Sequence, residues 1–259
     1  MTLRLYALSC GWLNAPLGLL LEGESGAIRI PVPCYLVEHP RGRLLFDSGL
    51  SARLLSDAAG HLGRLVRYFR PELEEGDLVS RRLQALDLDV RDIDYLVTSH
   101  LHFDHAGGHG QFPDTPIMVQ RREWQAAGDA DLIAANGYLA ADYALGQDVI
   151  QLDGEHDVFG DGAVVCVPTF GHTPGHQSLR LRLDGGDVVL AADACYFRRS
   201  LEALHLPKVG HDRAAMRDSL VRLRELQRRG ARIVYGHDPE HWASLPKAPA
   251  PVVIPAGRG

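Results

Sequence analysis

The sequence predicts an α+β fold in which two sheets lie face to face with helices on their outer sides. Three observations carry that reading. Short apolar, β-branched runs recur along the chain, mixed with amphipathic stretches of helical period. Two of those runs, 177–183 and 188–192, are joined by Asp184-Gly185-Gly186, a hairpin signal. Four runs end close to a His or an Asp, at the point where a buried strand would surface.

In chain order, strands are expected at 3–8, 33–38 and 43–46, the last running into the turn Asp47-Ser48-Gly49. Residues 60–69 and 77–85 read as helices, 93–97 as a strand, and 117–120 as a strand leading into a short helix through Trp124. Strands recur at 148–152, 163–167 and in the 177–192 hairpin. Residues 212–228 form an amphipathic helix: Asp218 and Glu225 among its basic residues mark a solvated face. Gly230 then leads into a strand at 231–235. A chain of 259 residues with 46% hydrophobic content and no Pro/Gly/Ser linker fits a single domain over 1–259.

The chemistry concentrates in Ser99-His100-Leu101-His102-Phe103-Asp104-His105-Ala106-Gly107-Gly108, three imidazoles and a carboxylate within six positions. That composition suits a strand-end loop holding metal, and imidazole with carboxylate favours Zn²⁺ or another first-row ion over Mg²⁺ or Ca²⁺. Residues two apart in extended chain point the same way, so His100 and His102 can grip one ion. Asp104 and His105, past the turn, reach a neighbouring one. One ion needs about four ligands, so other strand ends must contribute. The candidates are His172 in Phe170-Gly171-His172-Thr173-Pro174-Gly175-His176, Asp193 in Ala191-Ala192-Asp193, and His237 in Tyr235-Gly236-His237-Asp238.

The pattern His100-x-His102-x-Asp104-His105, then His172, Asp193 and His237, resembles the metallo-β-lactamase superfamily over most of the chain, and Asp47-Ser48-Gly49 matches an aspartate-containing turn early in that fold. The resemblance implies a four-layer αββα sandwich and two divalent metal ions per chain. Zinc leads, with iron, cobalt and manganese compatible with the same ligands. It places His100, His102 and His172 on one ion, Asp104, His105 and His237 on the second, and Asp193 between them. β-Lactamases of this fold depart from the Asp104-His105 pair or carry a cysteine where Asp193 stands, which disfavours antibiotic hydrolysis.

Tyr196, three positions after Asp193, can either donate a hydrogen bond to a carbonyl oxygen or pack under the site with Phe197; the residues alone leave both open. The Asp-x-x-Tyr spacing, the His237-Asp238 ending and the chain length resemble the N-acyl-homoserine-lactone lactonases, which open the lactone ring of bacterial quorum-sensing signals. The activity so implied is hydrolysis by a hydroxide held between the two ions. Tyr196 would assist at the carbonyl, and Asp104 would return a proton to the departing alkoxide as general acid. Segments 12–21 and 65–69 are candidate walls for the acyl tail, or ordinary core. The alternative function is a thioester hydrolase of the hydroxyacylglutathione hydrolase type, or a broad-range lactonase or esterase. The former usually carries a basic C-terminal helical region, in contrast to the Pro-rich stretch 245–255.

With 27 Lys and Arg against 33 Asp and Glu, the net charge of −6 argues against a nucleic-acid partner. The partner expected is a small-molecule lactone; no membrane span or secretion signal is expected, and a homodimer is left open. Cys10, Cys34, Cys166 and Cys195 read as small buried hydrophobes in a reducing cytoplasm. His39, His61, His156, His205, His211 and His241 lack ligand partners at suggestive spacing, and His109 and His176 read as groups supporting the ligands or as surface residues.

Overall fold

Alternation along the first strand already sorts the layers. In the computed structural model, which describes residues 3–253, β1 (Arg4–Pro16) sends Leu5 and Ala7 into one apolar cluster and Leu8 and Cys10 into another. It pairs antiparallel with β2 (Ala27–His39), which pairs antiparallel with β3 (Gly42–Phe46); β4 (Arg70–Glu72) borders β1. Parallel pairing carries the sheet on from β3 through β5 (Tyr95–Val97), β6 (Ile117–Gln120) and β7 (Val149–Leu152), giving the order β4-β1-β2-β3-β5-β6-β7. The second sheet comprises β8 (His156–Asp157), β9 (Val164–Pro168), β10 (Gln177–Leu183), β11 (Gly186–Leu190) and β12 (Arg232–Val234), in the order β12-β11-β10-β9-β8. Its β10–β11 hairpin pairs Leu183 with Gly186 around the predicted turn.

Between the sheets, Val37, Phe46 and Val97 meet Cys166, Leu181 and Leu190. The helices are α1 (Leu17–Leu20), α2 (Leu54–Leu62), α3 (Val79–Gln84), α4 (Phe103–Ala106), α5 (Arg121–Ala126), α6 (Ala130–Asn136), α7 (Ala140–Tyr143), α8 (Arg198–Ala203), α9 (Arg213–Arg228) and α10 (Pro239–Ser244). Val79 and Leu83 of α3 and Trp124 of α5 cover the outer face of the first sheet at Leu36, Leu96 and Val119. Leu201 of α8 and Leu220 and Leu223 of α9 cover Val189 and Ile233 of the second. The result is helix, sheet, sheet, helix: the four-layer αββα sandwich. Helix α9 begins where expected because the Asp212 side chain accepts from the Ala214 and Ala215 N–H groups, capping otherwise unpaired donors.

The local differences have local causes. The first strand runs on to Pro16 because a bulge between Ser9 and Trp12, with Gly11 at φ +106, interrupts its alternation without ending it. The expected helix at 60–69 is instead α2 followed by a 3₁₀ turn at Gly63–Arg67, because Gly63 at φ +53 closes the α-helix. Helices α6 and α7 and strand β8 were not foreseen. The α6–α7 stretch is rich in Ala and Asp and shows little apolar period.

Candidate metal centre

Strands β9, β11 and β12 run in one direction, so the segments that follow their C-terminal ends emerge together. These carry His172, Asp193 and His237. Opposite them, the segment after β5 supplies His100 and His102, and the short helix α4 supplies Asp104 and His105. All seven residues predicted from the sequence converge here, in two groups: His100, His102, His172 and Asp193, and Asp104, His105 and His237.

In the first group, His102 Nδ1 lies 2.9 Å from His100 Nε2 and 3.0 Å from His172 Nε2, and the latter two nitrogens are 3.2 Å apart. Nitrogens about 2.0–2.1 Å from a single tetrahedral ion would stand about 3.3 Å apart, so this spacing matches a shared cation. Asp193 spans both groups. Its Oδ2 is 3.2 Å from His172 Nε2, while its Oδ1 is 3.0 Å from His237 Nε2 and 3.2 Å from His105 Nε2. Asp104 Oδ2 lies 3.7 Å from both His105 Nε2 and His237 Nε2.

Outer hydrogen bonds decide which ring nitrogens face inward. Asp47 Oδ2 accepts from His105 Nδ1 at 2.8 Å, leaving Nε2 for the centre. Pro31 O accepts from His237 Nδ1 at 2.8 Å, with the same effect. His102 is turned the other way, because its Nε2 donates to Asn136 O at 2.7 Å and Nδ1 points inward. The inward nitrogens of His105 and His237 therefore meet the Asp193 carboxylate, which favours positive charge between them. His105 Nε2 and Asp193 Oδ1 are both buried without a hydrogen-bond partner, an arrangement that a cation between them resolves.

The charges agree. Burial pushes His100 and His102 down, neighbouring imidazoles reinforce it, and His102 falls to about 3, so both stay neutral as ligands must be. Burial also opposes charge on His105 and His237, yet Asp193 and Asp104 outweigh it and raise both. For Asp193, burial pushes the carboxyl up, but His105, His237 and His172 hold it well below the usual carboxylate range. The residues present fit divalent metal in two adjacent positions.

The metallo-beta-lactamase superfamily matches residues 27–237. The N-acyl homoserine lactonase AttM of Azorhizobium caulinodans is 36% identical over 259 residues, covering 95% of this chain and 97% of that one. The chain belongs to the metallo-beta-lactamase superfamily, in its N-acyl homoserine lactonase family. The lactonase AiiA of Bacillus thuringiensis subsp. kurstaki is 32% identical over 220 residues, 84% of this chain and 85% of that one. A solved N-acyl homoserine lactone hydrolase, with the product N-hexanoyl-L-homoserine bound at its catalytic metal centre, superposes with a TM-score of 0.86. That match is 31% identical and covers 97% of this chain and 100% of that one.

In this member of the lactonase family, Tyr196 is buried, with its hydroxyl 3.3 Å from His172 Nδ1 and its ring in one apolar cluster with Phe103 and Phe197. Burial, then Asp193 and Asp104, push its phenol well up, so it keeps its proton. Segments 12–21 and 65–69 both reach that cluster, through Leu13, Leu20 and Leu21 and through Leu65 and Phe69. Of the two readings of His109 and His176, burial excludes the surface: both rings are fully buried, and His176 Nε2 accepts from the Asp193 N–H at 3.2 Å. His61 forms a 2.8 Å pair with Asp142 and belongs to neither group.

Sequence reasoning missed the scaffold behind these seven side chains. Asp47, at φ +62, receives the Ser99 N–H at 2.7 Å and the Ser99 hydroxyl at 2.9 Å, and that hydroxyl lies 3.0 Å from His100 Nδ1. One carboxylate thus orients a histidine in each group, directly for His105 and through Ser99 for His100. Its turn motif was the available signal. Gly171, at φ +122, has no room for a side chain: a Cβ there would sit 2.2 Å from the Met216 N on α9, which seats the His172 loop against that helix.

Proposed function

We propose that this chain opens the lactone ring of N-acyl homoserine lactones by metal-dependent hydrolysis, lactone plus water giving the N-acyl homoserine. The observation that carries the reading is Asp193 shared between two groups of inward-facing imidazoles with the Tyr196 hydroxyl beside one of them. Relatives that cover nearly the whole chain carry that activity in their names. His100, His102 and His172 would hold one ion and Asp104, His105 and His237 the other, with Asp193 placed to serve both. Zinc is the ion proposed, since three imidazoles and a carboxylate suit it. Bound there, two divalent ions supply a water activated near neutral pH and a Lewis acid for the carbonyl oxygen.

The rest falls to the chain's own side chains. The Tyr196 hydroxyl donates to the carbonyl oxygen as negative charge builds on it. Asp104, in the second group, takes the proton that the attacking water gives up and passes it to the departing ring oxygen. The cluster around Phe103, Leu65 and Phe69 offers the acyl chain an apolar wall. In the cell this activity is quorum quenching, exercised by a single domain spanning the chain. Four free, buried cysteines support a cytoplasmic setting, and among the described residues no helix is long and apolar enough to cross a membrane.

Mass spectrometry of purified protein with N-hexanoyl and N-decanoyl homoserine lactones tests the reaction. The expected product has gained one water with its amide intact. Release of free fatty acid and homoserine lactone would contradict it, as would turnover of S-lactoylglutathione in preference to both lactones.

Tyr196→Phe separates donation from packing. Removing one oxyanion donor costs about 3 kcal/mol in a dry, preorganised site. With metal carrying most of the charge, the expected loss is about 1–2 kcal/mol, or roughly 5- to 30-fold in kcat/KM, at unchanged metal content. Unchanged kinetics with a lowered Tm would return Tyr196 to a packing role.

A further inference from the structure

Glu123 is fully buried, yet among the described residues no cation pairs with it. A carboxylate in that position is costly unless donors surround it. Three do. Its Oε1 accepts from the Leu101 N–H at 3.0 Å and from the Tyr138 hydroxyl at 2.8 Å, and its Oε2 accepts from the Gly175 N–H at 2.8 Å. Leu101 lies between His100 and His102. Gly175 lies three residues after His172, on the loop that also carries His176. The two oxygens of one side chain therefore reach the two loops that supply all three imidazoles of the first group.

The approach on the Gly175 side is as close as backbone allows. A Cβ on Gly175 would sit 2.2 Å from the Glu123 N, so the His172–His176 loop lies directly on the start of α5. Tyr138 ties a third segment to the same carboxylate, just after Asn136, whose carbonyl turns the His102 ring. Burial pushes the Glu123 carboxyl up, and the Tyr138 and Thr173 side chains, then the Leu101 and Gly175 N–H groups, oppose it.

We infer that Glu123 is a positioning residue that clamps the His100–His102 segment to the His172 loop and so fixes the spacing of the first metal group. The inference rests on the assignment of His100, His102 and His172 as ligands. Glu123 itself touches neither substrate nor metal. It acts through two backbone N–H groups, and an uncharged isostere cannot replace it. Gln can keep one oxygen on Leu101 and Tyr138, but its NH₂ must then face the Gly175 N–H, donor against donor.

The test is Glu123→Gln, with Tyr138→Phe as a milder variant that removes one donor and leaves the carboxylate in place. Zinc is titrated into chelator-treated protein in competition with a chromophoric chelator, and the Tm is read with and without zinc. Loss of a residue supporting metal ligands typically weakens metal affinity by about 10- to 100-fold. Glu123→Gln should weaken binding of one of the two ions by that factor and shrink the rise in Tm that zinc produces. Tyr138→Phe should move the same ion in the same direction by less. Equal lowering of Tm in the metal-free and zinc-loaded proteins, with wild-type zinc affinity, would make Glu123 a structural residue only and overturn the inference. If Glu123→Gln does not fold, Tyr138→Phe alone decides, and wild-type zinc affinity in that variant overturns it. A wild-type chain that binds no zinc would instead overturn the ligand assignment beneath it.

Discussion

Asp193→Asn should abolish lactone opening to within about a thousandth of wild-type kcat/KM, a loss of about 4 kcal/mol in transition-state stabilisation. The substitution keeps the side chain's volume and removes its charge. In the wild type, Oδ1 faces His105 and His237 while Oδ2 faces His172, so a single carboxylate serves both halves of the centre. An amide offers one oxygen and turns an NH₂ donor on the other half, where the ring nitrogens already face inward as lone pairs. One ion is then lost and the other held weakly. Fold loss is not the expected cause, because the Asp193 side chain faces the candidate ligands and Tyr196, and its backbone N–H, retained in Asn, still donates to His176. Elemental analysis, circular dichroism and kcat/KM on the same preparation check this. A folded variant that keeps two ions and near-normal turnover would remove Asp193 from the bridge.

The seven ligand candidates were legible in the sequence for a physical reason. Metal chemistry demands a few residue types, and strand ends are the only places where such side chains can gather without disrupting a sheet. His100, His102, Asp104 and His105 come in one run, and His172, Asp193 and His237 each follow an apolar stretch. The groups that aim them were not legible, because most act through the backbone. Asn136 O turns His102 and Pro31 O turns His237, and a carbonyl carries no signature of its residue. Glu123 sits in Arg121-Arg122-Glu123-Trp124, an ordinary charged helix start; only the fold reveals that it points inward at Leu101 and Gly175. The sandwich was readable from strand runs and the 184–186 turn. The reach of β1 past its bulge was not, because the bulge breaks the alternation, nor was the α6–α7 pair, whose stretch shows little apolar period.

Removal of metal should have the largest effect of all. Chelator-treated protein should retain its secondary structure, because the two sheets close over a core that contains none of the seven candidate ligands, with Phe46 and Val97 against Leu181 and Leu190. It should nevertheless open no measurable lactone. The direct measurement is stepwise zinc titration of that protein with ring opening of N-hexanoyl homoserine lactone followed at each step. Two equivalents should bind per chain, with activity reaching its plateau at the second. Full activity in metal-free protein, or a plateau with less than one ion per chain, would contradict a dinuclear lactonase.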